Sequence, residues 1–191
     1  MVSQRRLVVM RPVFLIGYMG CGKTTLGREL AAQMKVRYID LDEYIVQQQG
    51  KSVVQIFAQV GEVAFRNLET AALHEVAAMT DVIVGCGGGT PCQADNMSLM
   101  NGAGITVWLV TSPERITARL LLPEQKAKRP KVSALPPDSV LPLVKKELAE
   151  REIFYRQAQL QFDSTDIETG HATRRTARRL ADILLARFLP V

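Results

Sequence analysis

Gly17-Tyr18-Met19-Gly20-Cys21-Gly22-Lys23-Thr24 is the stretch that decides the fold of this chain. It has the spacing G-x-x-x-x-G-K-[ST], and it lies between a short apolar run at residues 13–16 and a helical pattern that begins at Thr25. Glycines let successive backbone N–H groups point at one anion, and the following helix adds the positive end of its dipole. Lys23 is suited to the β- and γ-phosphates of a nucleoside triphosphate, and the Thr24 hydroxyl to a Mg²⁺ ion. The strand before the stretch and the helix after it disfavour the alternative, a glycine-rich turn that binds nothing.

Composition limits the size and class of the protein. A chain of 191 residues that is 47% hydrophobic can bury one core and leaves little room for a second domain. The net charge of +5 suits anionic small molecules. The three cysteines have no metal-ligand spacing, which favours a reducing cytoplasm over secretion. No apolar run approaches the ~20 residues that span a bilayer, so we expect no membrane contact.

Two acidic residues end the second predicted strand, at residues 36–42. Ligands of open parallel sheets bind beyond the carboxyl ends of the strands, so Asp40 and Asp42 are expected to face the nucleotide. Side chains two apart on a strand share a face. We therefore expect Asp40 to hold the hydration shell of Mg²⁺ and Asp42 to contact the hydroxyl of a phosphoryl acceptor. In the structural alternative, Asp40 ends the strand and Asp42 caps the next helix, which does not exclude the chemistry.

Arg66 and Glu69 lie one turn apart on a helix predicted over residues 61–79. From spacing alone we favour a solvated ion pair of small energy. The alternative is that Arg66 binds a substrate carboxylate while Glu69 orients it. Three consecutive glycines, residues 87–89, follow a strand predicted at 81–85, and their backbone can approach a ligand without a Cβ in the way. A plain flexible turn is the alternative for this loop.

A polar, basic and proline-containing segment covers residues 122–137. It is predicted to be a mobile surface loop, either simply solvated or acting as a lid that brings Arg129 to the transferring phosphoryl group. Further strands are predicted at 104–110 and 160–163. A last helix, predicted over 173–189, is rich in arginine. A solvated basic face is the default there, and nucleic-acid contact is disfavoured.

Taken in order, these segments resemble the shikimate kinases over about residues 12–187. The resemblance rests on the loop at 17–25, Asp40-Leu41-Asp42, residues 61–69, the glycines at 87–89, Arg129-Pro130, and Glu150-Arg151 four residues ahead of Tyr155. It implies an α/β, P-loop three-layer fold with a five-stranded parallel sheet flanked by helices, as in nucleoside monophosphate kinases. It also implies one kinase domain over 1–191, with the P-loop at 17–24, a substrate-binding segment at about 42–70 and a lid at about 122–137.

The resemblance implies ATP-dependent phosphorylation of the shikimate 3-hydroxyl, in chorismate and aromatic amino-acid biosynthesis. The implied catalytic residues are Lys23, Asp42 and Arg129. The implied nucleotide-binding residues are Gly17, Gly20, Cys21, Gly22, Lys23, Thr24, Thr25, Arg119 and Arg129. The implied acceptor-binding residues are Asp42, Arg66, Gly87, Gly88, Gly89 and Arg151. Arg66 and Arg151 would bind the carboxylate, which reverses the preference stated above for Arg66.

The same resemblance implies that Thr24 and Asp40 hold Mg²⁺ and that ATP and shikimate are the partners, with no nucleic acid and no membrane. We expect a cytoplasmic monomer.

The chain departs from the family pattern at three places. Lys131-Val132 follows Arg129-Pro130 where the family usually has two leucines, the lid is a few residues longer, and Val46 stands in place of a usual glutamate. The main alternative function is a kinase of another small carboxylated polyol such as gluconate. A GTP-dependent switch would require an Asn-Lys-x-Asp motif, which the sequence lacks. A nucleic-acid-binding ATPase would use the arginines of the last helix.

Overall fold

The computed structural model describes residues 9–93, 95–127 and 129–188, and only the backbone of Pro130. The strands are β1 (Val13–Ile16), β2 (Arg37–Asp40), β3 (Val82–Gly85), β4 (Ile105–Val110) and β5 (Leu160–Asp163). The helices are α1 (Lys23–Met34), α2 (Leu41–Gln49), α3 (Val53–Ala77), α4 (Asn96–Ala103), α5 (Pro113–Leu120), α6 (Pro123–Ala127), α7 (Pro130–Ser133), α8 (Pro137–Tyr155) and α9 (Gly170–Phe188), with a 3₁₀ turn at Thr90–Cys92. No helix within these residues is long and apolar enough to cross a membrane.

The strands form one parallel sheet in the order β2-β3-β1-β4-β5, which confirms the predicted five-stranded α/β architecture. β1 lies at the centre, with Leu15 opposite Gly85 of β3 and Ile16 opposite Trp108 of β4. Because β1 and β3 are buried on both faces, they consist of continuous apolar runs. The loop after β1 therefore opens between the carboxyl ends of both neighbouring strands.

Alternate residues of β1 face two separate hydrophobic cores. Val13 and Leu15 pack in the core that α1 and α9 cover. Phe14 and Ile16 pack in the other core, to which α2, α3, α4, α5 and α8 contribute. The result is the predicted arrangement of helices on both faces of a sheet.

The second strand is shorter than the sequence predicted. It ends at Asp40, whose Oδ1 accepts a hydrogen bond from the backbone N–H of Asp42 at 3.2 Å and so caps α2. Asp42 lies in the first turn of this helix, where a carboxylate also interacts favourably with the helix dipole. The expectation that the two acids share a strand face is wrong. The alternative is right that Asp40 ends the strand, but the cap of α2 is Asp40 and not Asp42.

Gly61, where the sequence predicts a helix to begin, marks a kink inside the longer helix α3. Gly61 has a φ of +77° and a ψ of 175° inside α3, and the first segment begins with a capping box between Ser52 and Gln55.

Three helical features differ from the predictions. The segment at 122–137 is not an irregular loop, because it contains α6 and α7, and Val132 is buried in a core. Helix α4 was not predicted, since eight residues with mixed polarity show little periodicity. The last helix begins three residues earlier than predicted, at Gly170, and its predicted end at residue 189 lies outside the described residues.

Trp108 connects β4 to the two loops at this edge of the sheet. Its Cδ1 lies 3.5 Å from where a Cβ on Gly17 would stand. Its ring centroid lies 5.9 Å from that of Tyr155, whose hydroxyl donates to the carbonyl oxygen of Gly88 at 2.6 Å.

Candidate active site

The loop after β1 has a backbone that requires glycine. Gly17 and Gly22 have φ values of +137° and +101°, which are unfavourable for residues with a Cβ. A Cβ on Gly17 would lie 2.9 Å from the carbonyl oxygen of Leu109, and one on Gly22 would lie 2.1 Å from Cδ1 of Ile167. The loop can therefore curl closely around an anion only with glycines at both positions.

Lys23 lies across this loop. Its Nζ donates to the carbonyl oxygens of Gly17 at 2.7 Å and Tyr18 at 2.9 Å. An ammonium group has three N–H donors, and the third makes only a long contact with Cys21 Sγ at 3.8 Å, which a phosphate oxygen could replace. The positive charge is held where the helix dipole of α1 also favours an anion.

Thr24 and Asp40 lie together at the ends of α1 and β2. Thr24 Oγ1 donates to Asp40 Oδ2 at 3.2 Å, and the Tyr38 hydroxyl reaches the same oxygen at 3.4 Å. A hydroxyl beside a carboxylate is an oxygen donor set that suits Mg²⁺. The residues present therefore fit the metal that the sequence predicts.

A cavity of about 850 Å³ lies over the carboxyl ends of the central strands. Among the predicted site residues, those that line it are Gly20, Gly22, Lys23, Thr24, Thr25, Asp40, Asp42, Gly87, Gly88, Arg119 and Arg129. The predicted site residues outside this lining set are Gly17, Cys21, Arg66, Gly89 and Arg151. Cys21 is buried, so its thiol does not face the cavity.

Asp42 faces the cavity beside two other carboxylates. Burial raises the pKa of Asp42 to about 6, and the charges of Asp40 and Glu69 add to this effect, while Lys23 and Arg66 oppose it. A carboxyl group with such a pKa can accept and release a proton near neutral pH.

Arg66 is held by a buried acid. Its Nη1 donates to Glu69 Oε2 at 2.9 Å, and the other oxygen of Glu69 accepts from Thr90 Oγ1 at 2.5 Å. The Glu69 side chain is only 1% exposed, so the interpretation favoured from spacing, a solvated ion pair, is wrong. A Cβ on Gly89 would lie 3.1 Å from Arg66 Nη1, which places the guanidinium against the glycine loop.

Arg151 approaches the same loop from α8. Its Nη2 donates to Glu147 Oε2 at 2.9 Å, and its Cζ lies 5.2 Å from the centre of the Tyr18 ring. A Cβ on Gly88 would lie 3.3 Å from Arg151 Nη1. Adjacent glycines thus contact the two arginines, and the structure brings together two guanidinium groups that are far apart in sequence.

Arg119 lies between the phosphate-binding loop and the connection after β5. Its guanidinium donates to the carbonyl oxygens of Gly20 at 3.0 Å and Thr165 at 2.8 Å, and to the carboxylate of Glu168. Ile167 and Glu168 also line the cavity. Neither residue was predicted, since the connection has no motif or periodicity.

Arg129 is half-buried and also lines the cavity. Its Nη1 donates to the carbonyl oxygen of Gln125 at 2.8 Å, and burial lowers the pKa of the guanidinium from its ordinary value.

Glu147, the acid that holds Arg151, was not predicted either. The spacing of four residues between them on one helix was the available indication.

Comparisons of the sequence and the fold with known proteins identify a family. A family model described as shikimate kinase matches residues 19–182. A shikimate kinase of Parabacteroides distasonis is 42% identical over 175 residues, which cover 92% of this chain and 100% of that protein. The crystal structure of a shikimate kinase from Bacteroides thetaiotaomicron superposes with a TM-score of 0.86 at 39% identity, covering 92% of this chain and 98% of that one. A shikimate kinase from Acinetobacter baumannii in complex with shikimate gives a TM-score of 0.80 at 30% identity, with 95% and 96% coverage.

Proposed function

Because the chain belongs to the shikimate kinase family, we propose that it transfers the γ-phosphoryl group of ATP to the 3-hydroxyl of shikimate, releasing ADP and shikimate 3-phosphate. The observation that carries this proposal is the convergence of Arg66 and Arg151 on the glycine loop, with Asp42 in the same cavity as the phosphate-binding loop. Two cations and one carboxyl group of raised pKa match an acceptor that has a carboxylate at one end and a hydroxyl at the other.

The nucleotide half of the site consists of Gly17, Gly20, Cys21, Gly22, Lys23, Thr24, Thr25, Arg119 and Arg129. The backbone N–H groups of the loop would bind the β-phosphate, and the ammonium group of Lys23 would bind the γ-phosphate. Thr24 and Asp40 would hold Mg²⁺, which, when bound, neutralises negative charge on the phosphate oxygens. Arg119 would lie beside the base, since it lines the cavity next to the loop.

The acceptor half consists of Asp42, Arg66, Gly87, Gly88, Gly89 and Arg151. Arg66 donates from Nη1 to Glu69 and from Nη2 to Glu62. Its buried Nε has no partner among the described residues. A guanidinium carries five N–H donors, so both arginines keep donors for a carboxylate. The buried acids that anchor them reduce the rotamer freedom that would otherwise be lost on binding.

In the transfer itself, the 3-hydroxyl oxygen forms a bond to the γ-phosphorus as the bond to the bridging oxygen of ADP breaks. Asp42 accepts the hydroxyl proton late, because a secondary alcohol is barely acidic before phosphorus–oxygen bonding has begun. Lys23 and Arg129 stabilise the charge on the equatorial oxygens of the transferring group. The helical lid that carries Arg129 would exclude water from the reacting atoms.

We further infer that the chain acts as a monomer, because all of the groups above come from one chain. The free thiols of Cys21, Cys86 and Cys92 are consistent with the reducing cytoplasm that the sequence analysis expects.

The proposal is tested by a coupled assay of ADP release with MgATP. Shikimate, gluconate and a nucleoside monophosphate are compared in parallel at equal concentrations. We expect only shikimate to raise ADP release well above the rate without an acceptor. If gluconate or the nucleotide is phosphorylated and shikimate is not, the acceptor half of the proposal is wrong, although the nucleotide half stands.

A further inference from the structure

Glu147 is a buried carboxylate that joins three parts of the molecule. Its side chain is 6% exposed on α8. Oε2 accepts from the Tyr18 hydroxyl, in the phosphate-binding loop, at 2.8 Å and from Arg151 Nη2 at 2.9 Å. Oε1 accepts from Nζ of Lys131, which belongs to the lid helix α7.

The three donors keep this carboxylate ionised. Burial alone would raise the pKa of Glu147, but the hydrogen bonds from Lys131 and Tyr18 and the charge of Arg151 outweigh it and lower the pKa below its ordinary value. A buried carboxylate that loses one of its cationic partners keeps the full cost of desolvation. The positions of the three donors are therefore energetically linked.

Lys131 lies two residues after Arg129, on the same segment of the lid. The neighbouring Val132 is buried in the core that α8 also helps to form. An ion pair from Lys131 to α8 thus fixes the lid segment in one position relative to the acceptor-binding side of the cavity. The contact between Lys131 and Glu147 therefore also determines the position of Arg129 over the cavity.

We propose that Glu147 is a positioning residue that orients Arg151 for the acceptor carboxylate and, through Lys131, couples acceptor binding to placement of the lid over the nucleotide. This inference rests on the proposed function of the same site. It requires that acceptor and nucleotide strengthen each other's binding, because each favours the arrangement in which Glu147 holds both cations.

Lys131→Met separates the two roles of Glu147, which are to orient Arg151 and to place the lid. The substitution keeps an unbranched side chain that is one atom shorter, and it leaves the contacts of Glu147 with Arg151 and Tyr18 in place. It removes the cation that reaches from the lid. Lys131→Arg is the conservative variant, which retains a cation. Lys146→Met is the matched control. Lys146 is exposed on α8, and its ion pair with the exposed Glu150 is long, at 4.0 Å.

The test measures the dissociation constant of shikimate by isothermal titration calorimetry, with and without saturating MgADP. In the wild type we expect MgADP to tighten shikimate binding by about fivefold or more. In Lys131→Met we expect this factor to fall to about one, with the affinity for shikimate alone changed less than about twofold. Lys131→Arg should restore the factor, and Lys146→Met should match the wild type.

Glu147→Gln provides a second measurement, since an amide of the same shape cannot hold the two cations equally well. We expect it to weaken shikimate binding without nucleotide by about tenfold or more and to remove the coupling. The inference is overturned if Lys131→Met keeps the wild-type coupling factor, or if the wild type has none while it phosphorylates shikimate. A wild type that neither binds nor phosphorylates shikimate would contradict the proposed function itself and, with it, the inference.

Discussion

Asp42 has a carboxyl group whose pKa differs between the folded and the unfolded chain. The pKa is about 6 when folded and close to the ordinary value of 3.8 when unfolded. Between these values the folded chain binds more protons, so the free energy of unfolding falls as the pH rises from about 4 to about 6. The total loss corresponds to about 3 kcal/mol. The ligand-free protein is thus destabilised at neutral pH by the carboxyl group that we propose as the proton acceptor.

Asp42→Asn should therefore make the ligand-free protein more stable while abolishing turnover. At pH 7.5, without nucleotide or Mg²⁺, we expect the free energy of unfolding to rise by up to about 3 kcal/mol. At pH 4 the gain should vanish, because the wild-type carboxyl is then protonated when folded. Urea unfolding at both pH values measures this. Asp182→Asn, an exposed change on α9, is the control, and an equal gain by Asp42→Asn at both pH values would contradict the assignment.

The connection from β3 to α4 can pack closely against Glu69 and Thr90 because Gly87 has no side chain. A Cβ on Gly87 would lie 2.8 Å from Glu69 Oε1 and 3.0 Å from Thr90 Oγ1. Because the Glu69 carboxylate is buried, it cannot move away without breaking the hydrogen bonds that orient Arg66.

Gly87→Ala is expected to raise the KM for shikimate by about tenfold or more, because it displaces the acid that holds Arg66. It should also lower the free energy of unfolding by about 1–3 kcal/mol through overpacking. Gly102→Ala is the matched control: it lies in α4, and a Cβ there would meet no atom within 4 Å. It should stabilise the helix by about 0.5–1 kcal/mol and leave the kinetics unchanged. Steady-state kinetics and urea unfolding of both variants decide the matter, and unchanged kinetics in Gly87→Ala would contradict the role given to this loop.

Elements with a clear sequence pattern were predicted, and elements that depend on local capping were not. The buried strands are apolar runs between turn residues, so their existence and order along the chain were clear. The boundary between β2 and α2 was predicted two residues too late. It depends on the side chain of Asp40 accepting a hydrogen bond from the backbone, which the apolar pattern does not indicate. The short helices α4, α6 and α7 have too few residues to show a period.

The site residues likewise fall into those that a sequence motif predicts and those that depend on burial or distant contacts. The motif predicted Lys23 and Thr24, but the role of Arg66 depends on the burial of Glu69, which spacing cannot reveal. Glu147 was missed because its partner Tyr18 lies 129 residues away in the sequence.

Across the whole molecule, the proposed site would bring the two ligands into contact with separate sets of elements. The nucleotide half is built from the loop after β1, the start of α1, α5 and the lid. The acceptor half is built from α2, α3, the loop after β3, and α8. Because β1 lies between β3 and β4, the parallel sheet places both halves at one edge.

This division predicts that removing the main cation of one half does not stop the other half's ligand from stabilising the protein. MgADP at about 100 times its dissociation constant should add about 2.7 kcal/mol, or about 5–10 °C in Tm for a chain of this size. Lys23→Met should lose the shift with MgADP and keep a shift with shikimate, whereas Arg66→Ala should show the reverse. Differential scanning fluorimetry with each ligand measures this. If either variant loses both shifts, the site is not divided in this way.

Trp108 gives the molecule an optical reporter of its own. It is the only tryptophan in the sequence, and it contacts the phosphate-binding loop on one side and, through Tyr155, the glycine loop on the other. Indole emission depends on the polarity and packing around the ring, so filling of either half should change the intensity. The order in which the two ligands arrive can then be followed on the millisecond scale by stopped-flow mixing of the unlabelled, unmodified protein.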